Sequence, residues 1–175
     1  MIAKIVMTHV FTYYFAACVQ AVLHKLFGHH NRIHRVYQVH AKGHHAQYPP
    51  HRLLSDKFID SEQHVMWYYA IPFVPIGFVV YGLGGLSVLI GYLSGLVFSI
   101  WWHIYLHEQY HLRNSFWGRF SWFRKKKRLH LIHHCHVHYN YAIVEFWIDR
   151  LMGSYHVAKD AKDSHRNRAK SYNNV

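Results

Sequence analysis

The sequence predicts an all-α, integral membrane protein with about three transmembrane helices and a cytosolic helical cap that holds a histidine-rich di-metal site. Of its 175 residues, 51% are hydrophobic, so there is ample apolar surface to bury. The stretch from Val65 to Trp102 contains no Asp, Glu, Lys or Arg, and it is long enough for two crossings of about 20 residues each. The formal charge of +12 lies in the flanking segments, as in proteins whose basic loops face the cytosol. Residues 1–175 are expected to form one domain, with a core at about 5–155 and a basic tail at 156–175.

The first helix is predicted from Ile2 to about Leu26, because this segment is mostly apolar and long enough to cross a bilayer. It runs directly into His24 and His29, where the chain would leave the membrane. The polar segment that follows is interrupted at Tyr48-Pro49-Pro50, since proline lacks an N–H group and restricts the residue before it. Residues 52–64 are predicted to form a short surface helix.

Residues 65–106 are predicted to form a membrane hairpin. The glycine-rich sequence Gly82-Leu83-Gly84-Gly85 is suited to the tight turn between the two arms. Gly91 and Gly95 are four residues apart in the second arm and form a small-residue face for close helix packing.

Two segments follow the hairpin. Residues 113–128 mix aromatic and basic side chains, including Arg124–Arg128, which is typical of a membrane interface. Residues 140–152 are predicted to form an amphipathic helix that ends at Gly153. With the basic segments in the cytosol, every dense histidine cluster lies on the cytosolic face, in either a bacterial inner membrane or the endoplasmic reticulum.

Composition also excludes some classes of protein. A nucleic-acid binder has no use for so long an uncharged run, so no nucleic-acid partner is expected. The two cysteines, Cys18 and Cys135, are interpreted as free thiols. The acidic residues are scattered, which excludes the soluble di-iron pattern built from Glu and Glu-x-x-His.

Many of the twenty histidines fall into four clusters, and these predict a metal site. Residues three or four apart share one face of an α-helix, so the pairs His40/His44, His103/His107 and His130/His133 can each point at one ion. The adjacent His45 and His134 can reach a second ion, while the five-residue spacing of His24 and His29 requires a helix end or a wound-out turn. Imidazole suits iron, zinc, copper or nickel. The predicted ligands are His24, His29, His40, His44, His45, His103, His107, His130, His133 and His134.

These boxes resemble those of the fatty acid hydroxylase / sterol desaturase superfamily. Its members carry His-x(3–4)-His, His-x-x-His-His, membrane helices, His-x(3)-His and a final His-x-x-His-His. The resemblance covers most of residues 20–155 and includes Asn140-Tyr141-Ala142 and the segment from Trp147 to Tyr155, close to the family's sequences after its last box. This chain departs from the pattern at His40, which is separated from His44 by three residues where the family usually has two, and at Ala142, where the family has glycine.

The resemblance implies an O2-dependent di-iron hydroxylase or desaturase that acts on a lipid hydrocarbon chain, fatty acyl or sterol-like. It implies two iron ions, for which zinc can substitute in a purified sample, and a small cytochrome b5-like or ferredoxin-like electron donor. Carotenoid hydroxylation, or a non-catalytic metal-binding subunit of a larger membrane assembly, remains an alternative. Six other residues are candidates to contact and orient the ligands: His111, His136, His138, Glu108, Asn140 and Asp149. The alternatives are that the three histidines are spare ligands or surface residues, and that Glu108 is an exposed charge.

Overall fold

The computed structural model describes residues 1–59, 62, 65 and 67–157, and within them the regular structure is helical. The basic tail from residue 158 onward and most of 60–66 lie outside the described residues. The principal helices are α1 (Ile2–Leu23), α5 (Phe73–His111) and α6 (Ser121–Cys135). Shorter elements are the π-helices π1 (His24–His29) and π2 (Gln38–His44), a 3-10 helix (Phe116–Arg119), and α2 (His34–Tyr37), α3 (His45–Gln47), α4 (Trp67–Ala70) and α7 (Trp147–Leu151).

The chain reverses direction within α5, at Gly85. This residue has φ of 69° and ψ of −168°, a conformation that favours glycine, and it divides α5 into a first arm (73–84) and a second arm (86–111). The hydroxyl of Tyr92 donates a hydrogen bond to the carbonyl oxygen of Phe73 at 2.6 Å. In one straight helix these residues would be about 28 Å apart at 1.5 Å per residue. The helix–turn–helix shape of the predicted hairpin and its glycine turn are therefore confirmed.

The second arm packs closely against α1 through two glycines. A Cβ atom on Gly91 would lie 2.5 Å from the carbonyl oxygen of Ile5, and one on Gly95 would overlap the carbonyl oxygen of His9. Only residues without a side chain allow the two backbones to come this close. The predicted small-residue face is confirmed, and α1 is its partner.

Two helical segments, Ile2–His29 and Trp67–His111, are long and apolar enough to cross a membrane. Only 6% of the most apolar stretch in the second is buried within the protein, whereas the core helix of a soluble protein is mostly buried. Phe78 and Leu83 on the hairpin are 75% and 86% exposed. An exposed apolar surface of this extent needs a non-aqueous environment or a partner.

The cap is formed by π1, π2, α6 and the segment 136–157. Leu129 of α6 packs with Ala17 and Ala21 of α1, and Phe123 of α6 packs with Leu106 and Tyr110 of α5. Cys18 and Cys135 are both free, as predicted.

Two predicted helices differ from the structure. Residues 52–59 are not helical, because their backbone pairs with the end of α5: Ser55 N–H donates to the carbonyl oxygen of His111 at 2.9 Å. Of residues 140–152, only Trp147–Leu151 is helical. The segment before it follows a different path, because the backbone N–H groups of Tyr141 and Ala142 donate to the carboxylate of Asp149.

Candidate metal centre

Both π-helices position histidines that are five residues apart: His24 and His29 lie within π1, and His40 lies in π2 while His45 directly follows it. In a π-helix the N–H of each residue bonds to the carbonyl five residues earlier, so side chains at this spacing lie on one face. The Nε2 atoms of His24 and His29 are 3.2 Å apart, as are those of His40 and His45. The wound-out turn predicted for the His24/His29 spacing is confirmed by π1.

One set of histidines, the five-histidine group, brings together π2, α5 and α6. Its ligand nitrogens all lie within 4.8 Å of one another, and each residue is buried. His107 and His111 are one helical turn apart on α5, and His130 and His134 are one turn apart on α6. The members are His44, His107, His111, His130 and His134.

A second set, the four-histidine group, lies beside the first and consists of His24, His29, His40 and His133. Its nitrogens also lie within 4.8 Å of one another. His45 lies between the two groups, since its Nε2 is 3.2 Å from that of His40 while its ring stacks on His134 with centroids 4.1 Å apart. The two groups are therefore contiguous.

Hydrogen bonds to oxygen atoms fix the orientation of several rings. A ring whose Nδ1–H donates to an oxygen keeps its lone pair on Nε2, the atom left for a metal. Four Nδ1 atoms donate to backbone carbonyls: His24 to Tyr141 at 2.5 Å, His133 to Tyr139 at 2.7 Å, His111 to Leu53 at 3.0 Å and His134 to Tyr48 at 3.1 Å.

The Nε2 atoms that face one another carry no proton, so they cannot form hydrogen bonds with each other. His40 donates its Nδ1 proton to Glu62 at 2.5 Å, so its Nε2 and that of His24 present two lone pairs only 2.7 Å apart. The buried Nε2 atoms of His107, His133 and His134 have no hydrogen-bond partner among the described residues. Buried polar atoms without partners are rare, and facing lone pairs repel unless a cation lies between them. The arrangement therefore fits bound metal ions.

Burial keeps the buried histidines at the centre of the cap neutral. Desolvation and then the neighbouring histidines lower the pKa of His44, His130, His133 and His134 well below the usual value, and the pKa of His45 to about 3. Neutral imidazole is the form that binds metal. The ligands are therefore available at pH 7 without a prior loss of protons.

A partly open cavity of about 400 Å³ adjoins both groups. His24, His40, His103, His107 and Glu62 contribute to its lining. The remainder is mainly apolar and includes Trp67, Ala70, Ile100, Ile104 and Ile143. Ala70 also lines a second, apolar groove of about 440 Å³ between the arms of α5. Ala70 thus lies where the cavity beside the histidines adjoins the groove between the arms of the hairpin.

The structure places nine of the ten predicted ligands in or against the two groups. The remaining one, His103, lies on the cavity wall with its ring centroid 6.4 Å from that of His107. His40, despite its irregular spacing, lies inside the four-histidine group. The pairing along the helices differs from the prediction: His130 shares a group with His134, and His40 and His44 fall in different groups.

Among the residues predicted to orient ligands, His111 is itself a member of the five-histidine group. Its position four residues after His107 was the signal that could have identified it as a ligand. Asp149 accepts N–H bonds from Tyr141 and Ala142 at 2.7 and 3.0 Å, and so fixes the carbonyl that holds His24.

Asn140 fixes the same loop, donating to Leu129 and His156 and accepting from the His156 N–H. The backbone N–H of His136 donates to the carbonyl oxygen of His133 at 3.2 Å, but no described side-chain contact joins His136, His138 or Glu108 to either group. Sequence reasoning did not identify Glu62, because a lone acidic residue in a polar segment has no spacing signal.

No family model, curated protein or solved structure matches this chain.

Proposed function

We propose that this protein is a di-iron membrane oxygenase that hydroxylates or desaturates a lipid hydrocarbon chain, fatty acyl or sterol-like. The observation that carries the proposal is that two contiguous groups of imidazole lone pairs open onto one apolar cavity. The histidine boxes resemble those of the fatty acid hydroxylase / sterol desaturase superfamily, which supports iron and O2 over the other metals that imidazole binds.

The proposed topology has three membrane spans: α1 and the two arms of the hairpin. From residue 67 to 84 and from 86 to 111, helices would extend about 27 and 39 Å, and a bilayer core is about 30 Å thick. The Gly85 turn would lie on the far side, and both histidine groups would lie on the cytosolic side with Arg124–Arg128.

The residues of this protein would bind the metal ions, orient the histidine rings and shield the site. The two groups would hold the ions, and the carbonyls of Leu53, Tyr139 and Tyr141 keep the ring protons away from them. The apolar cavity walls would hold an alkyl chain against the histidines that line the cavity. When bound, iron would supply O2 activation, using electrons from a small electron-transfer protein on the cytosolic side.

The proposal is tested on protein purified in detergent without chelator. We expect about two metal ions per chain, and oxygenated or unsaturated lipids in expressing cells that are lost with His133→Ala. His138→Ala is the matched control, because His138 is exposed. Fewer than one metal per chain, or unchanged lipid products with His133→Ala, would contradict the proposal.

A further inference from the structure

The side chain of Glu62 stands between the two histidine groups. It is mostly buried, with 13% exposed. One carboxylate oxygen, Oε1, accepts the Nδ1 proton of His40 in the four-histidine group at 2.5 Å. The other, Oε2, faces the five-histidine group, 3.7 Å from Nδ1 of His107 and 4.0 Å from Nδ1 of His44. Each oxygen therefore faces a different group.

The Nδ1 atom of His44 is buried and has no hydrogen-bond partner among the described residues. The carboxylate oxygen that faces it is Oε2 of Glu62. Within the part of the chain that the structure describes, Glu62 is the one carboxylate with a contact to a member of either group. The other described acids pair elsewhere or lie apart: Asp56 with Arg113, Glu145 with Tyr13 and Lys126, and Asp149 with the loop at Tyr141.

This placement has an electrostatic consequence. Neutral histidines do not balance the charge of the cations they bind, whereas one carboxylate in a buried site interacts strongly with both ions because the local dielectric constant is low. A carboxylate that accepts the Nδ1 proton also fixes the ring and makes its Nε2 a better ligand. Loss of one such partner typically lowers metal affinity by about 10- to 100-fold.

We propose that Glu62 is a positioning residue shared by two metal ions: it orients His40 in one group through a hydrogen bond, lies within 4.0 Å of the Nδ1 atoms of His44 and His107 in the other, and sets the affinity of both ions together. The inference shares with the proposed function only the assumption that the protein binds two metal ions, and it does not require that the protein catalyses a reaction.

The test is a Co²⁺ titration of the full chain in detergent, followed through the visible absorption of bound Co²⁺. We expect the unmodified protein to bind two ions, and Glu62→Gln to bind both about 10- to 100-fold more weakly with a changed spectrum at each step. Glu62→Asp, which keeps the charge on a shorter side chain, should recover part of the affinity at both steps. If Glu62→Gln loses its helical circular dichroism, Glu62→Asp must still bind both ions more weakly than the unmodified protein.

Glu108→Gln is the matched control, because it makes the same chemical change next to His107 where no described contact reaches either group. Weakening of a single step with Glu62→Gln would overturn the shared role, and so would unchanged binding or an equal loss with Glu108→Gln. Failure of the unmodified protein to bind Co²⁺ would instead remove the metal sites themselves, and the proposed function with them.

Discussion

His133 and His134 are neighbours on α6, yet each belongs to a different histidine group. Their rings stand at 90° to each other with centroids 5.9 Å apart. Consecutive side chains on an α-helix point about 100° apart, so one turn of α6 reaches both groups. The Nδ1 proton of each is held by a different segment, His133 by Tyr139 and His134 by Tyr48. This helix therefore joins the two groups into one centre.

Separate substitution of these neighbours should remove the metals one at a time. We expect His133→Ala to lose the ion of the four-histidine group, and His134→Ala that of the five-histidine group, leaving about one metal per chain in each. The count is read by elemental analysis of purified protein, with His138→Ala retaining both ions. Loss of both ions with either single variant would show that the groups do not bind independently.

His103 provides a contrast with His107 on the same helix. The structure places His103 on the cavity wall outside both groups, whereas His107 is a member of one. We therefore expect His103→Ala to keep both metals and to lower product yield, and His107→Ala to lose metal. Elemental analysis beside lipid product analysis separates the two effects. A metal count that falls equally in the two variants would make His103 a ligand, as its spacing predicts.

The histidine spacing alone was sufficient to identify most of the candidate ligands. Histidines four residues apart, and the five-residue spacing of His24 and His29, can be recognised within a short stretch of sequence. The five-residue spacing corresponds to π1. Which histidine ring belongs to which group cannot be recognised from a short stretch of sequence. It depends on how π1, π2, α5 and α6 approach one another, and π2 also shifts the register so that His40 pairs with His45.

The hairpin was predictable for a similar reason. A glycine cluster in the middle of a long uncharged run is typical of a turn between two apolar helices, and Gly85 takes the left-handed conformation. The segment around Tyr141 was not predictable, because its carbonyl holds His24 from 117 positions away in sequence. A contact between residues so far apart produces no spacing pattern in the sequence.

The close packing of α1 on the hairpin should be sensitive to one methyl group. We expect Gly95→Ala to lower the free energy of unfolding by about 1–3 kcal/mol, because the added Cβ would overlap the carbonyl oxygen of His9 and push the helices apart. Gly82→Ala is the matched control, since no atom lies within 4 Å of its added Cβ. Alanine also favours helix, so this control should be neutral or stabilising. Thermal unfolding in detergent gives the comparison, and equal stability of the two variants would contradict the packing.

Ala70 lies where the cavity meets the groove between the arms of α5. Its side chain should therefore limit the length of the hydrocarbon substrate that can extend from the cavity into the groove. We expect Ala70→Trp to keep both metals while products from long hydrocarbon chains fall by at least about tenfold relative to short ones, an effect worth about 1.4 kcal/mol. Ala3→Trp, near the start of α1 and far from the cap in sequence, serves as the control. Products that fall uniformly over all chain lengths would argue against a path through Ala70.

The buried histidines predict how stability of the metal-free protein depends on pH. Burial and the neighbouring histidines lower the pKa of His45 to about 3, and lower those of His44, His130 and His134 well below 6.5. The unfolded chain therefore binds more protons than the folded chain once the pH falls below about 6.5, the usual histidine value. Stability should be full above that pH and decline steadily from pH 6.5 towards 3. Unfolding temperatures of chelator-treated protein measure this, and a temperature that stays constant between pH 7.5 and 5 would mean that these rings are not buried and neutral in the folded state.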